Sequence, residues 1–106
     1  MMEEQSPLTE GVYYILLSLY EPRHGYGIMQ FVSELSNGRV ELGPGTIYGA
    51  IKTLVKRKWI VSLEEDGRKK EYVITNNGKK MVESEVNRLY ELHHNGLLIT
   101  KGENRL

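Results

Sequence analysis

The segment from residue 43 to residue 57 combines small, hydroxyl-bearing and basic residues in a fixed order. It opens with the run Gly43-Pro44-Gly45-Thr46, and its predicted outward positions are small or basic. Small residues let a backbone approach a ligand closely, and free N–H groups at the start of a helix can hold a phosphate. Hydroxyl groups and lysines can reach base edges, sugars and phosphates of a nucleic acid. The residues expected to make such contacts are Gly45, Thr46, Tyr48, Gly49, Lys52 and Lys56.

A second basic cluster lies further along the chain, where Arg68, Lys69 and Lys70 are consecutive. Two runs rich in β-forming residues, 60–65 and 68–74, flank Asp66-Gly67, a pair that favours a two-residue hairpin turn. The three bases would therefore lie at the tip of a hairpin. From there they would follow a phosphate backbone or enter the adjacent minor groove.

The chain carries no net charge, but its charges are unevenly distributed. Residues 1–38 hold one Lys or Arg and five Asp or Glu, whereas residues 39–80 hold ten and five. Residues 81–106 hold three and four. A block of +5 between segments of −4 and −1 predicts a polarised surface. An ordinary solvated face is the simpler interpretation, but the positive charge falls on the predicted contact helix and hairpin tip.

No arrangement of residues typical of an enzyme is present. The sequence contains no Ser/His/Asp set, no paired catalytic acids and no nucleophile motif. The loop at residues 43–46 lacks the G-K-[ST] ending of a nucleotide-binding loop. His93 and His94 are adjacent, so they diverge by about 100° around a helix, and they lack a third ligand. We therefore predict no enzymatic activity, no cofactor and no metal site.

The composition predicts a cytoplasmic protein that does not enter a membrane. The absence of cysteine suits a reducing compartment and leaves no disulfide framework. The N-terminus carries acidic residues where a signal peptide would be basic. The longest strongly apolar run, near residues 12–19, is far shorter than the ~20 residues of a membrane span.

Apolar periodicity and turn residues divide the chain into four helices and one hairpin. Ser6 and Pro7 predict the start of the first helix, and Thr75-Asn76-Asn77 the start of the last. The predicted helices cover residues 7–20, 26–36, 44–57 and 76–95. This order predicts a mainly α fold with a small β-hairpin, namely a winged helix-turn-helix followed by a long C-terminal dimerisation helix.

The corresponding domain organisation has three parts. Residues 1–75 are predicted to form the DNA-binding domain, residues 76–98 the dimerisation helix, and residues 99–106 a disordered tail. Two helices also carry apolar surface that one small domain does not cover. The first is apolar nearly all round, and the last carries a narrow stripe typical of a helix–helix seam. The predicted homodimer interface consists of Tyr13, Leu17, Val82, Val86, Leu89 and His93.

Four motifs in the same order resemble the PadR family. GPGTIYGAIKTLVKRKWI is similar to its helix 3 signature, and HGYGIM resembles its H-G-Y motif at the start of helix 2. GRKKEYVITNNGKKM is similar to its wing and the R-x-Y-x-[LI]-T-x-x-G continuation, and LTEGVYYILLSL to its tyrosine-bearing first helix. Together these motifs cover about residues 8–82.

The resemblance implies a homodimeric transcriptional regulator, usually a repressor, that binds double-stranded operator DNA. It also implies that the long last helix packs against the partner. Two positions depart from the family pattern. Gly49 stands where proline is frequent, and Lys58 where glycine often ends helix 3, although lysine resists the left-handed conformation that glycine accepts. Some drug-sensing members carry a ligand-stacking tryptophan on the last helix, and that helix has none here.

A small aromatic effector is a further expected partner. Tyr13, Tyr14 and Tyr90 would line its site at the dimer seam, although packing alone is the simpler explanation of these tyrosines. The alternative to a DNA-binding regulator is a winged-helix protein-interaction module that never touches DNA. The basic helix face and the basic hairpin tip speak against that alternative.

Overall fold

The computed structural model describes residues 6–63 and 70–102. Three helices are followed by a two-stranded antiparallel hairpin and a long helix, which confirms the predicted mainly α fold with a hairpin. The elements are α1 (Glu10–Ser18), α2 (Gly25–Leu35), α3 (Pro44–Lys56), β1 (Ile60–Leu63), β2 (Glu71–Ile74) and α4 (Asn76–Thr100).

One hydrophobic core joins all six elements. Helices α1, α2 and α3 supply most of it, and the hairpin and the first turns of α4 close one side. Its fully buried members are spaced as the periodicity predicted. They are Ile15, Leu16, Leu19, Ile28, Val32, Ile47, Ile51, Leu54, Ile60, Ile74 and Val82.

Helix α1 begins later than predicted. Its N-cap is Thr9, whose hydroxyl accepts a hydrogen bond from the backbone N–H of Val12 at 3.2 Å. Ser6 and Pro7 therefore precede the helix. A threonine hydroxyl satisfies one of the unpaired N–H groups of a first turn, which explains why the helix starts there.

Helix α3 ends in a Schellman motif that forces Lys58 into the left-handed region, at φ 65°. The N–H of Lys58 donates to the carbonyl of Val55, and the N–H of Trp59 to that of Leu54 at 3.0 Å. These two bonds define the motif, and its left-handed position is usually glycine. Lys58 thus forms this turn at the position where the family often has glycine. Its Cβ makes the left-handed conformation unfavourable.

The hairpin register differs from the one that a regular two-residue turn would produce. Such a turn at Asp66-Gly67 would place Leu63 opposite Lys70, whereas Leu63 pairs with Glu71. The register of the described strands is therefore offset by one residue from the predicted one. Because side chains alternate along a strand, the shift reverses which residues of β2 share a face with β1. The predicted turn residues themselves lie outside the described part of the chain.

Backbone hydrogen bonds also join strand β2 to the turn between α1 and α2. The backbone groups of Arg23 and Tyr72 exchange two hydrogen bonds, at 3.1 and 2.9 Å. The N–H of Ile74 donates to the carbonyl of Leu19 at 2.8 Å. These bonds hold the hairpin beside the start of α2, and so beside the exposed face of α3.

Helix α4 begins where predicted but extends further. The Thr75 hydroxyl accepts from the N–H of Gly78 at 3.1 Å and donates to the carbonyl of Lys58 at 2.8 Å. The helix continues to Thr100 rather than to residue 95, so residues 99 and 100 are helical and not part of a disordered tail. Residues 103–106 lie outside the described part. Between Leu89 and Thr100 only Leu98 is half-buried, so this half of α4 projects from the domain.

Candidate nucleic-acid interface

The outer face of α3 contains all six contact residues that the sequence predicted on this helix. Ile47, Ile51 and Leu54 are buried against the core, which turns the opposite face to solvent. The residues on that exposed face are Gly45, Thr46, Tyr48, Gly49, Lys52 and Lys56. Their shared exposure follows from the helical period, since the buried positions recur every three or four residues.

Two glycines of this face have open space beside them among residues 6–63 and 70–102. A Cβ added at Gly45 or Gly49 would meet no atom of those residues within 4 Å. At Gly78, by contrast, a Cβ would overlap the backbone carbonyl of Trp59. Glycine inside a helix costs about 1 kcal/mol relative to alanine. The α3 glycines thus reduce the stability of the fold. They also leave this part of the helix surface without side chains.

Tyr48 is held in place by the start of α2. A Cβ on Gly25 would overlap the Tyr48 hydroxyl and lie 3.0 Å from its Cε1 atom, so the ring rests directly on this glycine. Half of Tyr48 (52%) is still exposed. The ring therefore has one restrained face and one face turned to solvent.

A groove connects α3 to the hairpin, and we call it the α3–wing groove. It has a volume of about 370 Å³. Tyr48 and Lys52 line it from the helix, and Lys70 lines it from the hairpin. The structure thus brings together contact residues that are far apart in sequence. Arg68 and Lys69, the other predicted hairpin contacts, lie outside the described residues.

A second cavity, the α2–wing cavity, adjoins this groove and has a volume of about 330 Å³. It shares three residues with the groove and adds two from the start of α2. No acidic residue lines either space within the part of the chain that the structure describes. The residues lining the α2–wing cavity are His24, Tyr26, Tyr48, Lys70 and Tyr72.

Sequence reasoning missed three of these residues: His24, Tyr26 and Tyr72. His24 and Tyr26 belong to the H-G-Y motif, which predicted the start of a helix but not which way its side chains point. Tyr26 is 61% exposed, which is high for an aromatic residue beside a turn. His24 Nε2 lies 3.7 Å from Glu71 Oε2, so the imidazole is paired across to β2.

The residues assigned to a dimer interface fall into three groups. Val82 is only 3% exposed and packs in the core, so it is covered without a partner. Tyr13 and Leu17 on α1 are half-buried, whereas Val86, Leu89 and His93 on α4 are exposed. The projecting half of α4 also exposes apolar side chains that the stripe omitted. They are Tyr90, Leu92, Leu97 and Ile99.

The three tyrosines assigned to an effector do not all meet within one chain. Tyr13 and Tyr14 pack edge to face with centroids 6.0 Å apart and line a cavity of about 320 Å³. Tyr90 is stacked on His94, at 5.8 Å, and does not line that cavity. Burial, and secondarily the nearby Glu85 carboxylate, raises the pKa of Tyr13.

Glu85 and Arg88 also line the tyrosine cavity and were not singled out in the sequence. Glu85 is 4% exposed and accepts hydrogen bonds from Arg88 at 2.6 Å and from the backbone N–H of Leu8 at 3.3 Å. The Arg88 guanidinium lowers the pKa of the Glu85 carboxyl, and the Leu8 amide acts in the same direction against the effect of burial. A buried carboxylate cannot be recognised from helical spacing alone, since acids normally occupy exposed positions.

Two further features concern metals and membranes. In residues 6–63 and 70–102, no three His, Asp or Glu side chains come together as a metal site. No helix in those ranges combines the length and hydropathy needed to cross a membrane.

Comparison with known proteins identifies relatives of this chain. Residues 14–84 match the transcriptional regulator PadR-like family. Over 60 residues the chain is 32% identical to the transcriptional regulator YqjI of Escherichia coli (strain K12), covering 57% of this chain and 29% of YqjI. The chain spans less than a third of the length of the curated relatives it matches.

Solved structures show the same architecture. RosR of H. salinarum is similar with a TM-score of 0.68 at 28% identity, covering 79% of this chain and 76% of that one. PadR of Bacillus subtilis, solved in complex with operator DNA, gives a TM-score of 0.61 at 24% identity, covering 74% and 47%. The predicted fold class and the resemblance to the PadR family are confirmed.

Proposed function

We propose that this chain, which belongs to the PadR-like family of transcriptional regulators, binds operator DNA through α3 and the hairpin. The observation that carries the proposal is the outer face of α3. In the described part of the chain no atom obstructs a Cβ at Gly45 or Gly49, and exposed lysines follow these glycines. A helix face that is small at its start and basic further along fits a close approach to a polyanion.

The geometry of helix-turn-helix proteins gives each residue a role. The second helix of the pair lies in the major groove with its N-terminal residues near base edges. Thr46 and Tyr48 lie in the first half of α3 and would read bases or sugars. Lys52 and Lys56 would contact phosphates further along, and Lys70 would contact the backbone from the hairpin. Arg68 and Lys69 are proposed to extend that contact.

Two relatives support DNA as the ligand. YqjI is named as a transcriptional regulator, and B. subtilis PadR, whose fold this chain shares, was solved with its operator. The match to YqjI covers a minor part of that protein, so the proposal rests first on the surface of α3.

The test is the salt dependence of binding to fragments selected from the source genome. Each phosphate contact by a lysine contributes about 0.9 to the slope of log affinity against log salt. Lys52→Ala and Lys70→Ala should each weaken binding to all sequences and reduce the slope by that amount. Lys101→Ala, at the far end of α4, is the matched control and should change neither quantity.

The alternative is a winged-helix module that binds another protein. Binding that ignores salt, or Lys52→Ala behaving like Lys101→Ala, would contradict the DNA-binding proposal. If the folded chain binds no duplex even at low salt, the protein-interaction module becomes the better description.

The chain is further proposed to act as a homodimer joined by α1 and α4. The projecting half of α4 exposes Leu89, Leu92 and Ile99, apolar surface that a second copy would cover. A two-fold dimer would read two half-sites about one DNA turn apart. Leu89→Glu should give monomers by light scattering and weaken operator binding, whereas Asn87→Glu on the polar face should not. A compact, stable wild-type monomer would contradict this assembly.

We also propose repression that is relieved by a small aromatic molecule in the tyrosine cavity. Its walls are Tyr13 and Tyr14, and Leu89 of α4 connects it to the proposed dimer seam. A ligand releases DNA only to the extent that it prefers the non-binding dimer. Planar phenolic compounds titrated against the DNA-bound dimer should release DNA from the wild-type protein but not from Tyr14→Ala. Equal responses of the two proteins, or none from wild type, would exclude this site.

A further inference from the structure

The α2–wing cavity is lined by residues that can donate hydrogen bonds, and of these only Tyr48 belongs to the six α3 contacts. Tyr26, Tyr48 and Tyr72 line it, and Lys70 is its cationic residue. The Tyr26 hydroxyl lies 3.5 Å from Gln30 Nε2 and can accept a hydrogen bond from it, which leaves the tyrosine proton available for an outside acceptor.

The charges around the cavity favour a single anion. Lys70 is exposed, and no ion pair to it occurs among the described residues. Glu71 does not line the cavity, and its Oε2 lies 3.7 Å from His24 Nε2. The His24 side chain makes no capping hydrogen bond to the first turn of α2. One cation surrounded by neutral hydroxyl donors matches one singly charged phosphodiester.

The position of the cavity identifies the source of that phosphodiester. Tyr48, Lys70 and Tyr72 line both this cavity and the α3–wing groove. DNA lying along α3 would therefore pass directly over the cavity. Its volume of about 330 Å³ equals that of about ten water molecules, which is enough for a phosphate and part of its sugar.

We infer that the α2–wing cavity binds one backbone phosphate of the DNA, with Tyr26, Tyr72 and Lys70 as its donors. This inference rests on the proposed DNA-binding function and adds a contact from α2 that α3 and the hairpin tip do not provide. The contact fixes the position of the duplex between α2 and the hairpin and reads no base.

Removal of single hydroxyl groups tests the inference. Tyr26→Phe and Tyr72→Phe should each weaken binding roughly tenfold, because a hydrogen bond to a charged group is lost. The loss should be equal for a selected duplex and for a random duplex of the same length. The salt slope should not change, since a hydroxyl displaces no counterion. Tyr20→Phe, an exposed tyrosine outside the cavity, is the matched control and should bind like wild type.

A chemical change in the DNA locates the phosphate. Replacing one backbone phosphate at a time by a neutral methylphosphonate should identify one position per half-site at which Tyr26→Phe causes no further loss. Tyr26→Phe binding like Tyr20→Phe, or losing affinity for only one sequence, would overturn the inference while wild-type binding still supports the proposed function. Failure of wild type to bind any duplex would instead contradict the proposed function.

Discussion

The Tyr48 side chain on α3 lies beside Gly25 at the start of α2, and a Cβ at Gly25 would overlap the tyrosine hydroxyl. The glycine of the H-G-Y motif therefore determines where the contact residue of the P-G-T-I-Y motif lies. Two motifs that are separate in sequence form one structural unit.

The first prediction concerns that unit. Gly25→Ala should displace Tyr48 and weaken DNA binding, while the fold remains intact because only the end of one side chain must move. Gly27→Ala, on the same helix, meets only the Arg23 side chain at 3.6 Å or more and should leave binding unchanged. In a Tyr48→Ala background, Gly25→Ala should add no further loss, since the residue that it displaces is absent. Fluorescence anisotropy with a labelled duplex measures all four proteins.

The second prediction separates stability from function on α3. Gly49→Ala should raise the free energy of unfolding by about 1 kcal/mol, because alanine is the better helix former and no atom obstructs its Cβ. The same methyl group should weaken DNA binding by holding the duplex away from the helix. Asn87→Ala, on the polar face of α4, should raise the free energy of unfolding without weakening DNA binding. A Gly49→Ala protein that gains stability and binds like wild type would show that the glycine is not needed for close approach.

The third prediction concerns the end of α3. Lys58→Gly should stabilise the fold by up to about 1 kcal/mol, because it removes a Cβ from a left-handed residue. Thermal unfolding should shift upward by several degrees for a domain of this size. Lys56→Gly is the control and should change the Tm in the opposite direction. Residue 56 is helical, so glycine there should lower the Tm. Equal effects of the two substitutions would mean that φ at residue 58 carries no strain.

The fourth prediction concerns acid. The pKa of Glu85 is lower in the folded chain than its usual value of 4.5, chiefly because Arg88 donates to the carboxylate. A lowered pKa stabilises the fold above that usual value, and the contribution is lost as the pH falls through the lowered pKa. Glu85→Gln should therefore be less stable than wild type at neutral pH, by about 1–3 kcal/mol. The difference should shrink below pH 4.5. Urea unfolding across this range measures it.

The exposed Glu91→Gln protein is the control for the acid experiment. It should match wild type at every pH. A Glu85→Gln protein whose deficit stays constant on acidification would show that the carboxylate acts through packing and not through its charge.

The placement of α4 shows how far periodicity can predict an interface. Spacing put Val82, Val86 and Leu89 on one stripe, and the structure keeps them on one side of the helix. Only packing shows that Val82 is already buried by its own chain while Leu89 is exposed. The spacing of residues predicts on which side of a helix they lie. Whether they are buried depends on which other elements pack against the helix at that point along its length.

The amino-acid sequence by itself determined the order of the helices and the exposed face of α3, because local periodicity and capping chemistry act within a few residues. It did not determine the start of α1, which is capped by Thr9 and not by Ser6, or the pairing of Leu63 with Glu71. The tertiary structure alone brought His24, Tyr26 and Tyr72 together with Tyr48 and Lys70. These residues come from separate parts of the chain, and the backbone bonds between Arg23 and Tyr72 and between Ile74 and Leu19 hold the hairpin beside α2. Contacts between distant parts of a chain depend on packing and on strand register, which no local pattern encodes.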